Sequence, residues 1–432
     1  MQKQPLTIAS EANAKYRTVE MKVVHVFTGP MTDGAARGAY WLHLGLKKLG
    51  VDSTILTSGH SPANDTSIVS LAATFLPVLR LALLTRLSNL PTRLYRNRQS
   101  RLFNTGFLGI DFTRNPSYRD ANVVHLHWVN GLVGMRTLRK IVKPVIWTMR
   151  DMWPMTGGCH YAMECERYRD GCGRCPQLGS RHENDLTRWV VKNKKASLPK
   201  HIRMVGISHW LSECAEQSCV FRGFPIATIN NNVDTEQFFP LDQFFARIAL
   251  KLPGHKKIVL VGSHQITEFY KGFALFLDSL ETLDMTNIHV VIFGNALREE
   301  LSHIKASYTY LGFLFDAASL RLAYSAADVF VAPSRMDAFG KTIVEAMACG
   351  CPVVCFDATG PRDIVVHQVT GYKAAPFESS DLGAGIQWVL SRSAWSTTWL
   401  RAQARKWAQE QFDSSLVAQQ YLALYERLVA GK

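Results

Sequence analysis

The sequence predicts an α/β chain of two doubly wound parallel-sheet units joined by a linker, and three observations predict it. Short β-branched runs alternate with helical patterns along the 432 residues; a turn-rich break, NNNVDTEQFFP at 230–240, falls near the middle; and a new strand, KKIVLVG, begins soon after it. At 47% hydrophobic, a chain this long exceeds one ordinary core and suits two domains of roughly 200 residues each.

Residues 1–20 are polar and aperiodic and are expected to form a disordered extension, so that folding begins at Met21. Strand-like runs Lys22–Phe27, Val123–His127 and Val145–Thr148 belong to an N-terminal domain expected over 21–235. Ile258–Val261, Val290–Phe293 and Val329–Ala332 belong to a C-terminal domain expected over 236–405. Such runs, apolar throughout, are what a sheet covered on both faces requires. Leu416, Tyr421, Leu424, Tyr425 and Leu428 recur at helical spacing, so 406–432 reads as a terminal helix packing on one of the domains. Ligands of doubly wound units gather at the carboxyl ends of their strands.

A formal net charge of +14 implies an anionic partner without choosing among nucleic acid, membrane lipid and nucleotide phosphate. No nucleic-acid module is visible, so nucleic acid is not expected. No run of 18 apolar residues and no charged-then-apolar leader occur, which predicts a cytoplasmic protein.

The most informative stretch is SRMDAFGKTIVEAMACGCPVVC, 334–355. It reads as a loop carrying Asp337, then a helix opened by Phe339 or Gly340 and carrying Glu345. Helix N-terminal amides suit an anion and carboxylates accept hydrogen bonds from hydroxyls, a combination that fits a nucleotide sugar. The competing reading is an ordinary βαβ corner, with Ile343, Val344, Ala346 and Met347 in the core and Glu345 in solvent. Gly340-Lys341-Thr342 is not a P-loop, because position 335 is Arg where that motif needs Gly. After the first strand, Gly34, Ala35, Ala36, Gly38 and Ala39 let a backbone approach a ligand, but the spacing is not that of a nicotinamide site. Arg37 there faces either a phosphate or solvent.

Together with DGAARGAYWLHLGLKKLGVDS, VVHLHWVNG, WTMRDMWPMTGGCHY, CGRCPQLG, ISHWLSECAEQSCVF, INNNVDTEQF, GPRDIV and VTGY, this stretch resembles the retaining GT-B glycosyltransferases of family four, particularly the bacterial exopolysaccharide and O-antigen (group 1) enzymes. The motifs span the chain from Met21 onward. The resemblance implies that Glu345 holds the ribose hydroxyls of a nucleotide-diphosphate sugar, and that Asp337 and the backbone from Ala338 through Phe339 and Gly340 to Lys341, with Thr342 beside it, face the donor sugar. It further implies that Lys271 in FYKGF binds the diphosphate, with Gly34, Ala35 and Arg37 also on the donor, and that Asp151 and Arg150 lie on the acceptor side. Asp151 either orients the acceptor or caps the following loop. Configuration would be retained by front-face attack, without a catalytic metal, onto a saccharide acceptor that in this family is often polyprenyl-linked. His125 and His127 read as structural or sugar-contacting. Three positions depart from the family: Asp337 replaces its first Glu, Ser263 its Arg after the strand glycine, and Arg150 its His. The competing functions are a nucleotide-sugar epimerase of the same fold and a non-catalytic, zinc-stabilised sugar-nucleotide-binding protein.

Cys159, Cys165, Cys172 and Cys175 crowd one loop and end in C-x2-C. Four thiolates so placed can close a structural zinc site; the alternative is reduced cysteines packing the loop. Cys214, Cys219, Cys349, Cys351 and Cys355 show no ligand spacing and read as small buried hydrophobes. Between Thr66 and Ile110 no Asp or Glu occurs, while Arg80, Arg86, Arg93, Arg96, Arg98 and Arg101 do. Leu79, Leu83, Leu87 and Leu90 share a helical face there. Such a helix either lies on an anionic membrane, as a peripheral protein of its inner face would, or packs on its own domain with solvated arginines.

Overall fold

The structure, a computed structural model, describes residues 21–31, 34–59, 65–99, 101–296, 301 and 304–431. The expected 1–20 extension lies outside them. The first sheet holds β1 (Lys22–Phe27), β2 (Asp52–Thr57), β3 (Ile68–Ser70), β4 (Val123–Leu126), β5 (Val145–Met149), β6 (Ile202–Gly206) and β7 (Ile226–Thr228), in the order β3-β2-β1-β4-β5-β6-β7. The second holds β8 (Lys257–Gln265), β9 (Ile288–Asn295), β10 (Tyr308–Tyr310), β11 (Val329–Ala332), β12 (Val353–Phe356) and β13 (Gly371–Ala374), in the order β10-β9-β8-β11-β12-β13. All pairings are parallel. The central strands β4, β5, β11 and β12 are buried along their whole length because helices cover both faces. Strand order reverses between β1 and β4 and again between β8 and β11. Both crevices that such a reversal opens therefore lie at carboxyl strand ends.

The terminal helix runs Ser414–Val429, and residues 406–412, expected within it, instead finish a separate helix, Ala394–Phe412. Asp413 breaks the two and caps the second, its Oδ1 accepting from Ser415 N–H at 2.8 Å. The last helix then crosses back to the first domain. Val417, Ala418, Tyr421 and Tyr425 pack with Val23, Leu42, Leu46, Val123 and Ile146 in one buried cluster. Its close approach depends on Gly45 of the first helix, Gly34–Lys48, where an added Cβ would sit 2.9 Å from Ala418 Cβ and 3.0 Å from Ser414 O.

Beneath this helix lies a buried polar chain. His125 Nδ1 meets Tyr425 OH at 2.7 Å and its Nε2 meets Thr148 Oγ1 at 2.7 Å, while His25 Nδ1 meets His127 Nε2 at 2.9 Å. His127 Nδ1 in turn lies 3.2 Å from Arg150 Nη2. Among the described residues, these three histidines are the group whose potential ligand nitrogens all fall within 4.8 Å of one another. Five of their six nitrogens bond each other, hydroxyls or a guanidinium, and His25 Nε2 is buried without a partner among the described residues, so the group reads as a structural stack.

Burial, then the charge of neighbouring histidines and Arg150, drives His25, His125 and His127 well below the usual histidine range. His43 is pushed down to about 4 by burial and Lys47, against an opposing pull from Asp65. All four are neutral in the fold and protonate on unfolding below about pH 6.5, so the unfolded chain binds more protons there and stability falls with pH. This loss begins near pH 6.5 and, for His43, is complete near its folded value of about 4. Each histidine should contribute up to ~1.4 kcal/mol per pH unit, so the urea midpoint should drop clearly between pH 7.5 and 5.5. An unchanged midpoint would show that these histidines already carry charge in the fold.

Candidate active site

The carboxyl ends of the two sheets face one another across a cavity of about 330 Å³. The first domain contributes Gly34, Ala35 and Arg37 from the helix after β1, and Arg150 and Asp151 from the turn after β5. The second contributes Lys271 and, from the turn and helix after β11, Asp337, Phe339, Gly340, Lys341, Thr342 and Glu345. The cavity thus gathers every residue expected on the donor and acceptor sides.

On the second domain, Gly340 takes φ +112 at the start of the helix Lys341–Ala348, a left-handed geometry that suits glycine. Phe339 packs its ring on Phe412 and gives its N–H to Asp337 Oδ1 at 3.2 Å. Asp337 Oδ2 accepts from Lys271 Nζ at 2.7 Å. These two residues, assigned separately to the sugar and the diphosphate, therefore form one ion pair. Burial alone would lower the Lys271 pKa, but Asp337 and then Tyr270 outweigh it and the net shift is upward.

Glu345 is fully buried, not solvated. Tyr324 OH donates to its Oε2 at 3.2 Å. Arg37, read from sequence as facing a phosphate or solvent, reaches across the cleft to place Nη2 2.9 Å from Glu345 Oε1. That contact is ionic and misaligned, for neither Glu345 Oε1 nor Arg37 Nε completes a hydrogen bond. Lys341 lies 3.6 Å from the centre of the Trp41 ring, and burial with the nearby Arg37 charge pushes its pKa well down against the pull of Glu345. An anionic ligand would offset both effects.

On the first domain, Asp151 does what one of its two readings expects and caps the loop, accepting Trp153 N–H at 2.9 Å on Oδ1. Its Oδ2 accepts Trp128 Nε1–H and His160 Nδ1–H, each at 2.6 Å. The other ring nitrogen, Nε2, is buried, without a partner among the described residues and on the cavity wall. Arg150 is buried without a carboxylate partner among the described residues, and burial lowers its pKa to about 10. It fits only because position 38 is Gly, where a Cβ would stand 2.5 Å from Arg150 Nη1 and 2.6 Å from Asn231 Oδ1. At Gly34 a Cβ would meet nothing, so smallness there leaves space and does not relieve a clash.

Eleven buried side-chain N or O atoms lack a partner among the described residues, and five of them line this one cavity: Arg37 Nε, Arg150 Nε, His160 Nε2, Ser263 Oγ and Glu345 Oε1. Buried polar atoms are rarely left so, and their concentration here marks where a polar ligand belongs.

Sequence reading missed His160, Tyr161, Trp128 and Tyr270, all on the cavity wall. The available signal was GGCHY, whose His and Tyr directly follow a cysteine of the crowded loop. The four clustered cysteines line a separate small cavity, yet no three of their sulfurs come within 4.8 Å of one another. Cys214, Cys349, Cys351 and Cys355 are buried and Cys219 is half-buried. The helix Phe75–Asn89 buries only Ser88.

Residues 255–392 match the family described as Glycosyl transferases group 1, and the chain therefore carries a glycosyl transferase group 1 domain. Over 276 residues it is 23% identical to the putative colanic acid biosynthesis glycosyl transferase WcaC of Escherichia coli, an alignment covering 61% of this chain and 65% of that protein, just under two thirds of its length. Among solved structures it superposes on the sucrose-phosphate synthase of Thermosynechococcus elongatus with a TM-score of 0.67 at 18% identity, covering 95% of this chain and 100% of the other. Anabaena HepE in complex with UDP-glucose follows at a TM-score of 0.60 and 16% identity, covering 94% and 99%. The fold is GT-B, two Rossmann-like domains across a cleft.

Gly38→Ala should force Arg150 and Asn231 apart and lower stability by roughly 1–3 kcal/mol, the scale of overpacking a filled site, in urea unfolding. An unaltered midpoint would show that the site has room for the methyl group.

Proposed function

We propose that the chain is a retaining glycosyltransferase that moves a sugar from a nucleotide-diphosphate donor to a lipid-linked saccharide in bacterial polysaccharide biosynthesis. The observation that carries this reading is the single cavity in which Glu345, the Lys271–Asp337 pair and the His160–Asp151 pair converge with unsatisfied polar atoms. The group 1 domain and the name of the colanic-acid relative support it.

As the bond from the anomeric carbon to phosphate breaks, negative charge builds on the departing diphosphate. Arg37, Lys271 and the amides at the start of the helix Lys341–Ala348 are fixed in place to stabilise it, so catalysis needs no metal. Glu345 Oε1 has the capacity to accept ribose hydroxyls. Asp337, one methylene shorter than Glu, is held by Lys271 beside the donor sugar. On the acceptor side, His160 Nε2 positions the acceptor through a hydroxyl next to the attacking one, while Asp151 holds the ring. Front-face attack lets the leaving phosphate take the proton and retains configuration.

A lipid-linked acceptor brings the membrane in. No described helix is long and apolar enough to cross a bilayer. On the helix Phe75–Asn89, however, Leu76, Leu79, Leu83 and Leu87 are exposed, with Leu90 just beyond it, flanked by the six arginines of an acid-free segment. These leucines leave about half or more of their surface open to solvent. Further along the same acid-free segment, Leu102 is exposed and lines the cleft. An anionic bilayer is the surface that matches leucines and arginines together, and it would deliver the acceptor to the cavity mouth.

Incubation with UDP-, GDP- and ADP-linked sugars and a polyprenyl-diphosphate-linked saccharide should release nucleoside diphosphate and yield a product of unchanged anomeric configuration by NMR. Epimerised sugar nucleotide without acceptor would make the protein an epimerase, and tight donor binding without turnover would make it a binding protein. Glu345→Ala should cost donor binding roughly 1–3 kcal/mol, the scale of a lost hydrogen bond to a charged group. For the membrane, Leu79→Asp with Leu83→Asp should abolish co-flotation with phosphatidylglycerol vesicles while leaving nucleotide affinity intact; retained flotation would remove this helix from the contact.

A further inference from the structure

We infer that Cys159, Cys165, Cys172 and Cys175 bind one structural zinc ion that fixes the loop carrying His160. All four side chains line one small cavity, together with Arg167, Tyr168 and Thr187. Reduced thiols that merely fill space account poorly for three features around it.

The first is the turn Cys175-Pro176-Gln177-Leu178-Gly179. Gly179 closes it at φ +63 with its N–H on Pro176 O at 3.1 Å, and Ser180 N–H returns to Cys175 O at 3.0 Å.

The second feature is Lys194. Its ammonium is buried, gives hydrogen bonds to Trp153 O and Thr156 O, and lies 3.7 Å from the centre of the Trp153 ring. Burial pushes its pKa down to about 7, and among the described residues it has no carboxylate partner. A buried ammonium calls for a compensating anion. Zinc held by four thiolates carries a net charge of about −2 and supplies it.

The third is the backbone. Cys172 at φ +61 and Arg174 at φ +45 are non-glycine residues in the left-handed region, on either side of Gly173 at φ +98. Strain of this density persists where surrounding structure imposes it. Here Cys175 N–H is held by Asp185 Oδ2 at 2.9 Å and Gly173 N–H by Thr187 Oγ1 at 3.0 Å, and both cysteines of the C-x2-C pair line the cavity.

A tetrahedral zinc–thiolate centre spaces its sulfurs by roughly 3.8 Å, so the side chains must draw in by about 1 Å or more from the spacing described above. Four thiolates fill the coordination shell, leaving no site for substrate, and the ion acts by position. Cys159 directly precedes His160, so fixing the loop fixes the ring that Asp151 orients.

The full-length protein, purified without chelator or immobilised metal, should contain about one zinc per chain by mass spectrometry, with four sulfurs at about 2.3 Å in zinc-edge absorption. Cys172→Ser with Cys175→Ser should retain less than about a fifth of that zinc, and an organomercurial should release it from the wild type. Should the double variant fail to fold, the wild-type metal content still decides. Less than about 0.1 zinc per chain, with no rise in Tm on adding zinc, would overturn the proposal, as would iron in its place or fewer than nine free thiols in denaturant.

Discussion

The organisation of this molecule rests on basic groups held in a dry cleft. Arg37, Arg150, Lys271 and Lys341 converge where the carboxyl ends of two parallel sheets face each other. Desolvating so much positive charge is costly unless each group is paired or shared, and each finds a different solution. Lys271 takes Asp337, Arg37 leans on Glu345 of the opposite domain, Lys341 lies over Trp41, and Arg150 settles for Asn231 and the edge of the histidine stack. Arg37 Nε and Arg150 Nε are left without a partner among the described residues, and that residual demand suits the site to an anionic, hydroxyl-bearing ligand.

The two lobes are joined at this point by contacts that are few but specific. Ser208 OH donates to Ala338 O at 2.7 Å, and Trp210 N–H to Asp363 Oδ2 at 2.9 Å, both beside the Asp337 turn. From the other side, the terminal helix ties Tyr425 to His125, and the histidine stack ends at Arg150. A segment nearly 300 residues downstream in sequence thus supports the acceptor side of the cleft, coupling the stability of the first domain to the geometry of the site.

Local pattern carried much of this. The apolar runs of β1, β4, β5, β8, β9 and β11 are visible as sequence because both faces of a parallel sheet are covered, so no polar alternation interrupts them. The turn and helix from Asp337 to Glu345 were visible for a similar reason: a strand end, a glycine and a short helix fix one another within a dozen residues. His160 was not visible as a site residue, since nothing in its neighbours shows that its ring would meet Asp151, nine positions earlier, across a folded loop.

The sequence by itself determined the fold class, the two-unit organisation and part of the cleft lining, above all Asp337 to Glu345, because these follow from hydrophobic periodicity and from turns whose contacts are close along the chain; Trp128, His160, Tyr161 and Tyr270 are cleft residues it did not reveal. Only the tertiary structure decided which of those residues pair: Arg37 with Glu345, Lys271 with Asp337, His160 with Asp151, and the last helix with the first domain. Each of those contacts depends on how separately specified elements are juxtaposed in space, and local periodicity holds no record of that distance.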